Sequence, residues 1–306
     1  MKIGILETNY FSDLGIKKLR ELGEVFLYED IISLEIFLNP IEVLFIRLDY
    51  QINKDFLDKC INLKILCSPT TGLNHIDINL LNERKINLIS LKERTHQLSN
   101  IRATPENTIG LALALIRGYS KVFLNAENSN WDRYKFYGDE LQNMNVGIIG
   151  FGRVGTQITK YLNSFSSKIF VYDIKDISTD LNITILNSIE EIINKCQMIF
   201  LTASYSNKII IKDHHIDALK DKYFINTSRG ELIDEKYLIK KLNSNHFRGL
   251  AIDVISNENQ SKNNLKYFIK SVKKYNIIVT PHISGVTIDS LNKTEEILIN
   301  ALIESL

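Results

Sequence analysis

Cysteine is scarce: Cys60, Cys67 and Cys196 are the three in 306 residues. An odd set without metal-ligand spacing argues against a disulfide framework and reads as buried thiols in a reducing compartment. Excess charge is missing too. Lys and Arg total 37 against 36 Asp and Glu, a net of +1. That leaves no global field to draw the chain to nucleic acid or anionic lipid. No apolar run approaches a membrane span. The opening residues, Met1-Lys2-Ile3-Gly4-Ile5-Leu6, form a strand pattern in place of a long apolar leader. Proline is rare, at four residues, and there is no repeat, low-complexity tract or charge block. What remains is 44% hydrophobic and 24% charged, a globular composition with enough length for two domains. The expected location is the cytoplasm.

Strand and helix signals alternate along the first hundred residues. Strands are expected at 2–6, 25–28, 43–46, 64–67 and 87–91, with helices at 13–22, 55–60 and 78–84. Such alternation predicts a parallel α/β sheet. Pro105 then opens a helical pattern over 106–123, with Thr104 placed to cap it. Its centre, residues 110–116, is apolar on every face, the mark of a buried helix. A polar stretch over 125–139 holds the single tryptophan, Trp131.

From residue 145 the chain reads Asn145-Val146-Gly147-Ile148-Ile149-Gly150-Phe151-Gly152-Arg153-Val154-Gly155. A buried-strand run ends in G-x-G-x-x-G, a helical pattern follows, and a second strand over 169–172 closes on Asp173. This is the full context of a dinucleotide site. Gly150 permits the tight turn, Gly152 lets a pyrophosphate approach the backbone, and Gly155 lets helix and strand pack closely. The helix N-terminus offers N–H groups and a positive dipole end to phosphates. Asp173 stands 18 residues after Gly155, where an acid binds the adenosine ribose. Its charge would repel a 2′-phosphate, so NAD is favoured over NADP. Further strands at 198–202, 223–226, 250–254 and 277–280 bring the second half to six, enough for a doubly wound sheet. A last helix spans 289–306.

Three later segments set polar residues at strand ends, where ligands bind in open α/β sheets. They are Phe224-Ile225-Asn226-Thr227-Ser228-Arg229-Gly230-Glu231-Leu232-Ile233-Asp234, then Ala251-Ile252-Asp253-Val254 with Glu258, then Thr280-Pro281-His282-Ile283-Ser284-Gly285. Together with Thr71-Gly72-Leu73-Asn74-His75-Ile76-Asp77 and the glycine fingerprint, they occur in order over nearly the whole chain. In these motifs the sequence resembles the D-isomer-specific 2-hydroxyacid dehydrogenases, which include glyoxylate/hydroxypyruvate reductases and phosphoglycerate dehydrogenase.

The resemblance implies an α/β fold: a Rossmann-type doubly wound parallel sheet domain, residues 101–283, inserted in a flavodoxin-like substrate domain, 1–100 plus 284–306. It implies NAD as cofactor, a small 2-oxo or 2-hydroxy acid as substrate, and a homodimer. Arg229 would hold the substrate carboxylate, His282 would be the acid/base, and Glu258 would pair with His282. Arg47 and the Thr71, Gly72 and Leu73 backbone would face substrate. Gly150, Gly152, Arg153, Val154, Gly155, Asp173, Ala203, Thr227, Ser228, Asp253 and Gly285 would line the cofactor site. Trp131 would approach a partner subunit's pocket or pack under its own loop. His75, His96, His214, His215 and His246 read as structural or surface residues.

The chain departs from the family where many members carry Pro-Leu-Thr and it has Ala203-Ser204-Tyr205-Ser206, and where Asn259-Gln260 replaces the usual Pro after Glu258. Both changes alter cleft walls, so the substrate does not carry over. With the last helix ending at 306, a form without a regulatory domain is expected. Two other readings share the motifs: a non-catalytic NADH-sensing assembly protein, as in related corepressors, and a phosphite- or formate-type dehydrogenase.

Overall fold

The computed structural model describes all residues except 30–32, 128–132, 206, 243 and 259–262. Trp131, Asn259 and Gln260 therefore lie outside the described residues. The chain divides into two compact units, Met1–Ile101 with Thr287–Leu306, and Arg102–Val286.

The first unit carries strands β1 (Lys2–Ile5), β2 (Glu24–Leu27), β3 (Val43–Phe45), β4 (Ile65–Ser68) and β5 (Asn87–Ser90). They form a parallel sheet in the order β2-β1-β3-β4-β5, the flavodoxin-like order. Both faces are covered, so the strands read as continuous apolar runs. The period of two then sorts side chains between faces. Val43 and Phe45 join one core cluster with Ile3, Ile5 and Cys67, while Leu44 and Leu66 join the other. The helix Ile288–Ser305 returns to the first cluster through Leu298, Ile299, Ala301 and Leu302. This is why the two chain ends make one unit. Thr287 caps that helix by accepting the Ser290 N–H at 3.1 Å.

The second unit contains β6 (Asn145–Ile149), β7 (Lys168–Tyr172), β8 (Thr184–Ile185), β9 (Met198–Leu201), β10 (Tyr223–Asn226), β11 (Gly249–Ile252) and β12 (Ile277–Val279). Their order is β12-β11-β10-β9-β6-β7-β8, parallel throughout. Chain order reverses between β6 and β9, so this is a doubly wound sheet of the Rossmann type. Six strands are expected from the sequence; the seventh, β8, is a two-residue exposed edge with no apolar pattern to reveal it. Alternation again divides the core: Met198 and Phe200 enter one cluster, Ile199 and Leu201 the other.

The helix expected at 106–123 differs from that observed. One helix spans Ala103–Ile116 and a second spans Tyr119–Glu127. Gly118, at φ +60°, breaks the run, and that left-handed conformation ends helices. Thr104 is inside the first turn and Arg102 takes the cap position without a side-chain bond. Pro105 is tolerated there because first-turn N–H groups have no intrahelical acceptor.

Candidate active site

The loop after β6 is built from glycines with distinct reasons. Gly150 has φ +97°, and a Cβ there would sit 2.4 Å from the Ala203 backbone. A Cβ on Gly155 would lie 2.3 Å from the Gly150 carbonyl oxygen. Gly152 is different: a Cβ would meet nothing within 4 Å. Gly150 and Gly155 thus let β6, the helix Arg153–Ser164 and the start of the 202–203 segment close up, while Gly152 keeps a cradle open. Gly152 is the N-cap of that helix and supplies no side-chain cap, so the first N–H groups face the cradle without one. The donor set suits a pyrophosphate. Val154 packs on the core below it.

Asp173 stands after β7 and holds the glycine loop. Its Oδ2 accepts the Phe151 N–H at 2.6 Å and its Oδ1 accepts the Lys175 N–H at 2.9 Å. Arg153 loses some of its basicity to burial and to the neighbouring cation of Arg102. Arg102 also donates to buried Gln157. Two guanidinium groups crowded at one helix N-terminus repel each other, and an anion bound there relieves that repulsion. Arg102 lay outside the sequence reading because it joins this helix only through the fold.

The proton-transfer group is assembled at the C-terminal ends of β10, β11 and β12. His282 Nδ1–H donates to Glu258 Oε2 at 2.6 Å, and both side chains are half-buried, at 23% and 29% exposure. His282 has φ +52°, a left-handed backbone that is unfavourable by about 1–2 kcal/mol for an L-residue. Its N–H donates to the Asp253 carbonyl at 2.8 Å. Buried Asp253 then clamps the whole turn. Its carboxylate accepts the Thr280 hydroxyl and the Ile283 and Ser284 N–H groups, the last two at 3.0 Å. Such charge-assisted bonds are the strong ones, and here they hold an acid/base in a fixed pose.

Arg229 follows β10. Burial lowers its basicity, while Glu258 and Glu231 raise it, so an anionic neighbourhood keeps a desolvated guanidinium charged. Its Nη1 donates to the Ser228 carbonyl at 2.7 Å. Asn226, fully buried, shapes the turn by accepting the Ser228 N–H and donating to the Arg229 carbonyl, both at 3.0 Å. Gly230 is required by packing: a Cβ would lie 2.1 Å from the Ile255 carbonyl carbon. The Arg-Gly pair thereby brings the Arg229 turn against the loop that bears Glu258. Thr227 shares a hydroxyl bond of 2.8 Å with Thr108, and the Ser228 hydroxyl donates to the Ala203 carbonyl. Asn107 donates to the Ser284 hydroxyl at 2.7 Å. Asn107 and Thr108 sit mid-helix with no motif to mark them, and sequence reading passed over both. Gly285 is exposed beside this turn.

In the first unit, Glu7 Oε1 accepts the Asp49 N–H at 2.6 Å, and its other oxygen takes the Arg47 N–H. The Arg47 guanidinium donates to the carbonyls of Asn9 and Tyr10. After β4, the Thr70 hydroxyl donates to the Gly72 carbonyl at 2.9 Å. Among the described residues, none accepts a hydrogen bond from the N–H of Thr71, Gly72 or Leu73. Successive N–H groups without an internal acceptor are able to receive a carboxylate.

His75 and His215 are buried, and His246 Nε2 bonds the Ile216 carbonyl at 2.7 Å. Glu190, His214 and His215 converge closely enough to hold a metal ion. However, His215 Nδ1 accepts the Lys212 N–H, so its Nε2 carries the proton that goes to Glu190 at 2.8 Å. A metal would need that nitrogen bare, so the trio as arranged is a helix cap. All three cysteines are buried and unbridged. Among the described residues, no helix is long and apolar enough to cross a membrane.

Comparison with known proteins agrees with this geometry. Residues 10–99 match the catalytic domain, and 109–284 the NAD binding domain, of the D-isomer specific 2-hydroxyacid dehydrogenases. The chain is 28% identical over 288 residues to a D-3-phosphoglycerate dehydrogenase of Methanocaldococcus jannaschii, covering 92% of this chain and 53% of that one. It thus spans about half that relative's length. It is 27% identical to a glyoxylate reductase of Thermofilum pendens, covering 97% of this chain and 89% of the other. In fold it is similar to D-lactate dehydrogenase of Aquifex aeolicus, solved with NAD and lactic acid. The TM-score is 0.83 at 21% identity, over 99% of this chain and 94% of that one. The chain belongs to the D-isomer specific 2-hydroxyacid dehydrogenase family, a family of NAD-dependent oxidoreductases, and residues 109–284 are its NAD-binding domain.

Proposed function

We propose that the protein interconverts a small 2-oxo acid and its D-2-hydroxy acid, with His282 as acid/base and Arg229 binding the carboxylate. The observation that carries this reading is the 2.6 Å bond between His282 Nδ1 and Glu258. With Nδ1–H committed to a carboxylate, Nε2 is the nitrogen left to exchange a proton with substrate. In reduction, Nε2–H gives its proton to the carbonyl oxygen, and Glu258 stabilises the imidazolium that supplies it. In oxidation, Nε2 takes the hydroxyl proton. The planar fork of Arg229 suits a bidentate carboxylate and polarises the adjacent carbonyl. The N–H groups of Thr71, Gly72 and Leu73, with Arg47, are assigned to substrate as well. The bound nicotinamide supplies or accepts the hydride. Gly150, Gly152, Arg153, Val154, Gly155, Ala203, Thr227, Ser228 and Gly285 line its carrier's site, Asp173 serves the ribose, and Asp253 places the His282 turn beside the nicotinamide.

We assign residues 1–100 plus 284–306 to substrate and place the enzyme in the cytoplasm, which the unbridged cysteines support. A homodimer is supported by exposed aromatics: Phe123 at 60% stacks on Tyr119, and Tyr134 and Tyr137 reach 73% and 83%. The test is NADH oxidation against a panel of small 2-oxo acids. Turnover is expected with at least one, and His282→Asn should cut it by about a hundredfold or more while NADH affinity holds. NADH binding without turnover on any compound would overturn the reading in favour of NADH sensing or a phosphite- or formate-type substrate.

A further inference from the structure

One buried carboxylate takes no part in the chemistry above. Glu235 opens the helix Glu235–Leu242 and is 7% exposed. Burial pushes its carboxyl above the usual range, and Glu231 and Glu258 add to that push. A buried acid is tolerated only where its oxygens are bonded, and the two bonds here share one target. Oε1 accepts the Ser256 N–H at 2.8 Å, and Oε2 accepts the Asn264 side-chain amide at 2.6 Å. Ser256 stands two residues before Glu258 and Asn264 six after it. A single side chain therefore ties both ends of the loop that presents Glu258 to His282.

Two further bonds hold the described residues of that loop in the same sense. The Asn263 amide donates to the Glu258 carbonyl at 2.8 Å, and Glu258 Oε1 accepts the Ile255 N–H at 3.3 Å. We propose that Glu235 is a positioning residue for the proton-transfer pair: by clamping Ser256 and Asn264 it fixes Glu258 against His282. Both partners are donors, and the carboxyl group accepts from each through a separate oxygen. Alanine removes both acceptors, while glutamine keeps one and can pair its amide with a flipped Asn264.

The inference rests on the proposed role of His282, and its test separates the two. The charged groups that bear on the pair are Glu258 on His282 Nδ1, Asp253 within the His282 turn, Arg229 and Glu231 near Glu258, and Glu235 itself. The experiment follows the His282 Nδ1–H proton, hydrogen-bonded to Glu258, by NMR in the full chain without cofactor. It compares wild type, Glu235→Ala, Glu235→Gln, Asn264→Ala and Glu258→Gln. Glu258→Gln, which replaces the charged acceptor, sets the full change of that resonance. Glu235→Ala should produce at least half of it, Asn264→Ala less, and Glu235→Gln, whose amide can pair with a flipped Asn264, the least. In turnover, Glu235→Ala should lose about tenfold in kcat with KM and NADH affinity within about twofold, and Glu235→Gln should lose less. A Glu235→Ala protein that melts lower but keeps the wild-type His282 resonance has only lost a structural bond, and the inference falls. If the wild type reduces no 2-oxo acid, the functional reading falls, while the His282 resonance still decides the role of Glu235.

Discussion

Both sheets reverse their strand order, and both have a crevice at that switch point where ligands bind in such folds. The two crevices are finished in opposite ways. Between β1 and β3 the chain lines the space with its own polar side chains. Glu7 takes the N–H groups of Arg47 and Asp49, Arg47 turns to the Asn9 and Tyr10 carbonyls, and Glu295 takes the Ser12 N–H and hydroxyl. Between β6 and β9 the walls are backbone. Gly150 lies against Ala203, and Gly152 leaves open space. One topology thus yields a crevice lined by an internal charge cluster and another whose backbone walls are kept clear for a dinucleotide. Function follows the lining, as it must where one fold serves many chemistries.

The largest expected effect separates space from support within the open crevice. Gly152→Val adds a side chain where a Cβ meets nothing and φ is −82°. The melting temperature should stay within about 2 °C of wild type, since surface changes rarely exceed half a kcal/mol. NADH affinity, read by fluorescence titration, should fall by about a hundredfold or more. Gly150→Val should lose binding and stability together, because its φ and the Ala203 backbone leave a Cβ no place. Unchanged NADH binding in Gly152→Val would remove the crevice from the cofactor site.

Asp173 refines that picture. It staples the Phe151 and Lys175 N–H groups as well as standing where a ribose is bound. Asp173→Ala should therefore weaken NADH by about tenfold or more, through loop and ribose alike. NADPH should lose less, since a 2′-phosphate no longer meets a negative charge. Equal losses for both cofactors would leave Asp173 a staple and nothing more.

The glycine fingerprint and the apolar alternation of the strands are legible in the sequence because each is local. A turn needs its glycine, and a strand buried on both faces needs consecutive apolar residues. The His282–Glu258 pair was legible only through motif resemblance, since 24 residues separate them. What supports the pair was not legible at all. The Asp253 carboxylate reaches residues 27 to 31 positions ahead, and the Glu235 carboxylate 21 and 29. A buried acid that accepts backbone N–H groups has no pattern of its own, and in sequence Glu235 is an ordinary acid at a helix start. β8 and the break at Gly118 were missed for a related reason. An exposed two-residue edge carries no periodicity, and one glycine in a helical run does not announce its φ.

In the charge-lined crevice, Arg47→Ala leaves Glu7 and Glu295 without the cation that both feel. The expected loss is about 1–3 kcal/mol, below that of a fully buried pair because Arg47 is only half-buried. Burial raises both carboxyls above their ordinary value of 4.5. Their protonated forms are thus favoured in the folded protein. The stability tied to them is present below pH 4.5 and is lost as pH rises through the raised values. The Arg47→Ala deficit should accordingly be largest at neutral pH and shrink as pH falls toward 4.5. Thermal melts across that window check it, and a deficit independent of pH would mean that Arg47 acts by packing alone.

The smallest effect belongs to an exposed charge. The His215 N–H, followed by the backbone N–H of Glu190 itself, holds the Glu190 carboxyl down at about 2, from an ordinary 4.5. Here the sign is opposite to that in the crevice. A depressed acid stabilises the fold above pH 4.5, and that contribution is lost as pH falls toward about 2. Glu190 is 54% exposed, so solvent screening limits the contribution to about half a kcal/mol or less. Glu190→Gln should melt slightly lower than wild type above pH 4.5, and the two curves should converge toward pH 2. Convergence in the other direction would place Glu190 with the buried acids Glu7 and Glu295, and the contrast between a surface cap and a charge-lined crevice would fail at that point.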